Sequence, residues 1–298
     1  MPPLAAGSEA APSASPIASV YLHCEHIAKA HYENFTVGSW FLPPAVRQYM
    51  YAVYSFCRHT DDLGDEAPGD RLALLDAWAA ELDAAYHGTA TDPIMVALQD
   101  TINRFDIPAD PFKKLIEANR MDQRQQRFET YQDLLRYCDH SANPVGRMVL
   151  YVMGYKDPQR QELSDATCTA LQLANFWQDV QRDWDKGRIY IPQEDMARFG
   201  YTEEDLAHGI ADDRFRALMR FEVDRAHALF QKGLPLANTL RGRARLDIAL
   251  FSKGGLSVLD AIRRQGYDVL SHRPTVSKGH KLWLMLATSV KLAMAKRT

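Results

Sequence analysis

Apolar residues recur along this chain at the three- and four-residue spacing of an amphipathic helix from Ile17 onward. No stretch alternates convincingly with the period of two that a half-buried strand needs, and no internal repeat is present. Helix boundaries punctuate the pattern. Asp70 is placed to cap RLALLDAWAAELDAAYHG, which stops at Gly88, and Asp110 with Pro111 opens a helix where proline's missing N–H does no harm. Ser164 is placed to cap a long central helix, and Thr202 with Asp205 has the spacing of a capping box. The pattern predicts an all-α fold. Connections are short, so residues 17–298 are expected to form one domain, preceded by a disordered Ala/Pro/Ser-rich tail over residues 1–16 that lacks the basic start and apolar core of a signal peptide. The longest irregular piece, DKGRIYIPQEDMARFGYT, carries Arg188 and Tyr190 and is a loop of the kind that closes over a ligand.

Two helical segments break the rule that polar residues face outward. In QLANFWQDVQRD, Gln172, Asn175, Asp179 and Asp183 follow i, i+3, i+7, i+11 and fall within a stripe about 80° wide. Leu171, Leu173, Ala174, Phe176, Trp177 and Val180 cover most of the remaining surface. A helix wrapped mostly in apolar residues is buried, so its polar stripe is expected to look into a cavity where ionised Asp needs a cation or donors. In YAVYSFCRHTDDLGD, Tyr51, Tyr54, Arg58, Asp61 and Asp65 keep to a similar stripe, with Val53, Phe56 and Cys57 behind. Both segments hold an Asp pair at i and i+4, one helical turn apart, where like charges repel unless something positive lies between.

Composition narrows the chemistry. A net charge of −3 leaves no nucleic-acid footprint. Cys24, Cys57, Cys138 and Cys168 lie far apart without CxxC spacing, which suggests neither zinc nor a disulfide framework and makes a reducing, cytoplasmic setting the default. Leu282 to Met294 is largely apolar between Lys278 and Lys281 on one side and Lys296 and Arg297 on the other. It is too short to span a bilayer, and reads either as a core helix with a basic end or as a helix lying on the inner face of an anionic membrane.

Carboxylates on two facing helices form a hard, oxygen-rich site suited to Mg²⁺, which keeps waters and shares its shell with substrate phosphates. Arg58, one turn before Asp61, adds a fixed positive charge for phosphate oxygens. If the bound anion is a diphosphate that leaves carbon, a carbocation remains. Tyr51, Tyr54, Tyr137, Phe176 and Trp177 supply aromatic faces that stabilise such a cation without reacting with it. Taken singly, DDxxD also reads as a solvated helix end, and Tyr137, Arg188 and His31 as ordinary structural residues.

At this point YSFCRHTDDLGDE and QLANFWQDVQRDWDKGRIYIP resemble the paired aspartate-rich signatures of the squalene and phytoene synthase family, the head-to-head isoprenoid synthases. The resemblance runs over nearly the whole chain after the tail. It implies a helical isoprenoid synthase bundle around a central apolar channel, with Asp61, Asp62, Asp65, Asp179 and Asp183 binding Mg²⁺ and diphosphate. It places Tyr54, Arg58, Tyr137, Gln172, Asn175, Arg188 and Tyr190 around the diphosphate or the reacting carbons, and His31 and Asn34 near a second diphosphate position. Glu33 stands there in a segment that tends to be basic or hydroxylic in condensing members, which counts against two-substrate binding.

ENFTVGSWFLP and CDHSANPVGR resemble the bacterial hydroxysqualene synthases of hopanoid biosynthesis. That likeness implies ionisation of presqualene diphosphate, rearrangement of the cation and capture by water, with no NADPH, and a product that partitions into lipid. A polar patch at Asp139, His140, Ser141 and Asn143 is the candidate holder of the water, although Asn143 and Pro144 also read as a plain helix cap and first helical residue. A condensing synthase that joins two prenyl diphosphates is the runner-up, and a non-catalytic assembly protein of the same family is a third reading that leaves five carboxylates in register without purpose.

Overall fold

The computed structural model describes residues 16–30 and 44–277, together with 279, 283–285, 287 and 288. Among these residues there is no strand, as the period of the apolar positions predicts. The helices are α1 (Pro16–Ala30), α2 (Pro44–Asp65), α3 (Arg71–His87), α4 (Pro93–Phe105), α5 (Asp110–Arg124), α6 (Tyr131–Ser141), α7 (Asn143–Val152) and α8 (Pro158–Asp185). Two short turns of helix follow, α9 (Gln193–Arg198) and α10 (Glu203–Ala207), then α11 (Asp213–Gly233), the short α12 (Leu236–Thr239) and α13 (Gly242–Arg264).

Local chemistry sets most boundaries. The Asp70 carboxylate accepts from the Ala73 N–H to start α3, and Gly88 ends it in the left-handed region at φ 79°. Thr202 and Asp205 form the reciprocal capping box at α10, and Thr130 with Asp133 forms another at α6. Ser164 is not a cap. The central helix begins at Pro158 behind Asp157, whose side chain accepts from Arg160 N–H. Ser164 lies buried inside α8 where α7 crosses it, so close that a Cβ on Gly146 would stand 2.4 Å from the Ser164 Oγ. A small polar residue there serves packing, which looks like a cap only when the helices around it are unknown.

The apolar residues gather into two main clusters. One unites α1 to α4 with parts of α5 and α7, around Phe56, Leu75, Leu82, Met95 and Phe112. The other unites α6, α8, α11, α13 and the segment after α8, around Phe128, Trp177, Tyr201, Phe215 and Phe230. Each fully buried large side chain of this kind contributes about 1.5–3 kcal/mol relative to exposure. α8 packs against α6, α7, α11, α12 and α13, which explains why it is apolar on nearly every side. α5 serves both clusters, with Phe112, Leu115 and Ile116 in the first and Ala118 in the second. The two acidic stripes thus belong to different halves of the molecule, with α5 at the seam.

Among the described residues no helix is long and apolar enough to cross a membrane. His31, Glu33 and Asn34, the tail before residue 16 and most of Leu282 to Met294 lie outside the described residues.

Candidate functional site

On α2, Tyr51 is buried, Tyr54 and Arg58 are half-buried, and Asp61 and Asp65 are reached by solvent at the helix's C-terminal end. The Arg58 guanidinium pairs with Asp62 one turn on and with Glu66 at 3.2 Å. Asp61 stands in a recess that water enters but protein crowds, and burial pushes its carboxyl up to about 6, with Asp65 and Asp62 adding repulsion and Asn119 and Arg58 opposing.

On α8, Leu173, Ala174, Phe176, Trp177 and Val180 are buried while Asn175 is exposed and Gln172, Asp179 and Asp183 are partly so, the division that the stripe predicts. The helix kinks at Asp179, whose backbone sits at φ −110°, ψ 16°. Burial pushes Asp183 up to about 7, with the neighbouring Asp179 carboxylate adding to it. After Asp185 the chain reverses through Gly187 at φ 78°, and the Arg188 N–H returns to the Asp183 carbonyl at 2.8 Å. Only a residue tolerant of positive φ makes this reversal without strain.

The reversal decides the geometry. Arg188, brought back over the end of α8, donates to the Asp65 carboxylate of α2 at 2.8 Å and shares a small cavity with Asp183, Phe176, Val180 and Tyr190. One guanidinium therefore joins the two acidic helices. The segment that carries it is fastened along its length, with Ile189 N–H on Gln126 O at 2.9 Å and Gln193 N–H on Phe128 O at 2.8 Å. Next to it Tyr190 stacks on Phe176 with centroids 3.7 Å apart and planes 8° from parallel, and Tyr137 and Phe128 close the cluster.

The family model for squalene/phytoene synthase matches residues 28–280. The chain belongs to the squalene/phytoene synthase family. It is 36% identical to the 15-cis-phytoene synthase of Synechococcus elongatus over 95% of this chain and 94% of that one, and 36% identical to the 15-cis-phytoene synthase of a Synechocystis species over 91% and 86%. Among solved structures, squalene synthase HpnC from Alicyclobacillus acidocaldarius superposes with a TM-score of 0.83 at 47% identity, covering 86% of this chain and 97% of that one. A dehydrosqualene synthase solved with a ligand superposes with a TM-score of 0.84 at 28% identity, covering 93% and 98%.

Two further residues, on neither acidic helix's polar stripe, pair with groups of this site. Asp122 on α5 accepts from the Tyr137 hydroxyl at 2.9 Å, and burial pushes it up to about 6 against the pull of Arg188. Its signal was present, since Asn119, Asp122 and Gln123 form a third polar stripe at i, i+3, i+4 on a helix with buried Leu115, Ile116 and Ala118. Arg273, in the segment after α13, grips Asp179 through Nη2 at 2.8 Å and reaches Gln178 Oε1 at 3.1 Å. No periodicity marks it, because it arrives from a loop 94 residues away in sequence.

The patch proposed for water divides. Asn143 is already inside α7, following Ala142, and its amide is committed: Oδ1 accepts from Thr169 at 2.9 Å and Nδ2 donates to Asp139 at 3.4 Å. Asp139 is in turn held by Lys114 at 2.8 Å, and His140 lines a surface groove with Lys113 and Arg120. Ser141 keeps a buried hydroxyl that meets no hydrogen-bond partner among the described residues.

The donor set fits Mg²⁺. Asp61, Asp62, Asp65, Asp179 and Asp183 offer oxygen alone, and among the described residues no three acidic, His or Cys side chains converge on one point. Mg²⁺ takes one or two carboxylates and fills its octahedron with water and phosphate oxygens, so a split set of this kind suits it when a diphosphate supplies the rest. Arg58, Arg188 and Arg273 now neutralise Asp62, Asp65 and Asp179.

Proposed function

We propose that this synthase converts presqualene diphosphate to hydroxysqualene. The observation that carries the chemistry is Arg188, which pairs with Asp65 of one acidic helix and lines a cavity with Asp183 of the other, directly next to the stacked Phe176 and Tyr190. A diphosphate bound at the carboxylate end leaves its carbon chain against aromatic and aliphatic side chains. Mg²⁺, held by Asp61, Asp62, Asp65, Asp179 and Asp183, would supply charge to the leaving group.

Arg58, Arg188 and Arg273 place guanidinium groups where negative charge grows as the C–O bond breaks and its electron pair goes to diphosphate. Tyr137, Phe176 and Tyr190 offer π faces to the resulting cyclopropylcarbinyl cation. Burial holds the Tyr137 hydroxyl far above its usual range, so no phenolate stands ready to attack the cation. Rearrangement and addition of one water, with loss of its proton, gives the alcohol. The 47% likeness to a squalene synthase, against 36% for phytoene synthases, supports the choice of a C30 substrate.

The phytoene synthase relatives favour a second reading, condensation of two prenyl diphosphates. Purified protein with Mg²⁺ is incubated with presqualene diphosphate, and separately with farnesyl or geranylgeranyl diphosphate alone, without NADPH. Mass spectrometry is expected to find hydroxysqualene in the first and no coupled product in the others. A coupled C30 or C40 product from a single prenyl diphosphate would establish the condensing reading instead.

A further inference from the structure

We infer that Asn119 is a positioning residue for Asp61, and that Gly64 exists as glycine to let it reach. The inference rests on the reading that Asp61 carries a cation. Asn119 is buried on α5, and its Nδ2 donates both to Leu115 O at 3.2 Å and to Asp61 Oδ1 at 3.4 Å. Contact with Oδ1 from below restricts rotation of the carboxylate and leaves Oδ2 for another partner. A lone carboxylate at a helix end otherwise rotates among rotamers that a cation must wait to sample.

Gly64 makes this contact sterically feasible. A Cβ added there would stand 2.2 Å from Asn119 Oδ1 and 3.0 Å from its Cγ, well inside contact distance. Gly64 lies in the last turn of α2, where no positive φ calls for glycine. The close approach of α5 is what the missing side chain provides. Gln123 completes the junction, donating through Nε2 to Gly64 O at 2.9 Å and to Asn119 O at 3.2 Å. The two helices therefore meet through a polar seam aligned on the first aspartate of the DDLGD stretch.

The test measures binding of Mg²⁺ with inorganic diphosphate by calorimetry, alongside the melting temperature without ligand. Asn119→Ala is expected to weaken Mg²⁺ binding about 10-fold, in the range seen when groups that orient a metal ligand are removed, and to regain turnover at raised Mg²⁺. Gly64→Ala is expected to give the same loss by displacing Asn119. In the double variant Gly64→Ala/Asn119→Ala the added methyl no longer meets the amide and keeps only the 3.1 Å approach to the Cβ at position 119, which a few tenths of an ångström relieve, so the loss is expected to stay close to that of Asn119→Ala alone. Wild-type Mg²⁺ affinity in Asn119→Ala, or losses that simply add in the double variant, would overturn the assignment. A wild-type protein that binds no Mg²⁺ and diphosphate would overturn the reading beneath it as well.

Discussion

Tyr137 shows how much one hydroxyl can organise. Its ring packs in the aromatic cluster, while its O–H reaches Asp122, whose charge also faces Arg188. Tyr137→Phe keeps the ring and leaves a buried acid without its donor, which costs about 1–2 kcal/mol of stability. Turnover is expected to fall by at least about 10-fold, in the range of a positioned polar group, with KM little changed; unaltered kcat would mean that the hydroxyl serves packing only. Asp179→Asn removes charge and keeps shape. Arg273 then loses its ionic partner and the cation loses a ligand, so kcat/KM is expected to drop by about 100-fold or more while circular dichroism stays helical. A fully active Asp179→Asn enzyme would contradict the site. Asp179 was legible from spacing, whereas Arg273 was not, since spacing reports only neighbours on the same helix.

At the scale of elements, the loop that carries Arg188 and Tyr190 is anchored by a buried acid pair. Asp195, at the start of α9, meets Glu222 of α11, and Arg225 reaches both, at 2.5 Å to Asp195 and 3.5 Å to Glu222. The guanidinium lies between the rings of Tyr131 at 4.1 Å and Phe221 at 4.0 Å. One positive charge cannot balance two buried negative ones. Burial, then Asp195, pushes Glu222 from 4.5 up to about 8, with Arg225 opposing. A carboxyl whose folded pKa is raised favours the folded state while protonated. Its contribution is therefore complete below pH 4.5 and is lost as pH rises toward 8, on the order of a few kcal/mol. Glu222→Gln mimics the protonated form, so its melting temperature is expected to fall less than wild type's between pH 5 and about 8.5. An identical pH slope in the two proteins would refute the raised, protonated Glu222. Spacing places Glu222 on the apolar face of α11, between Leu218 and Met219 on one side and Ala226 on the other, but its meeting with Asp195 joins residues far apart in the chain and no spacing shows it.

For the whole molecule, the site lies on the seam between two apolar clusters, with α2 in one and α8 in the other. A ligand that engages carboxylates of both halves ties them together. Mg²⁺ with inorganic diphosphate is expected to raise the melting temperature, by about 2.7 kcal/mol of added stability at 100 times Kd, and EDTA to reverse the rise and abolish turnover while helicity persists. A melting temperature indifferent to both would mean that the acidic stripes bind no such ligand.

By itself the sequence determined the all-α class, the caps at Asp70 and Thr202, and the two acidic stripes, because each depends on residues within one or two helical turns of one another. Tertiary structure decided what the stripes meet. The reversal at Gly187 that lays Arg188 on Asp65, the arrival of Arg273 at Asp179, Asp122 beneath Tyr137, and Asn119 against Gly64 all join positions that only the packing of helices brings within reach. It also withdrew Ser164 and Asn143 from their expected places, since a small polar residue reads as a cap until a crossing helix is seen to claim it.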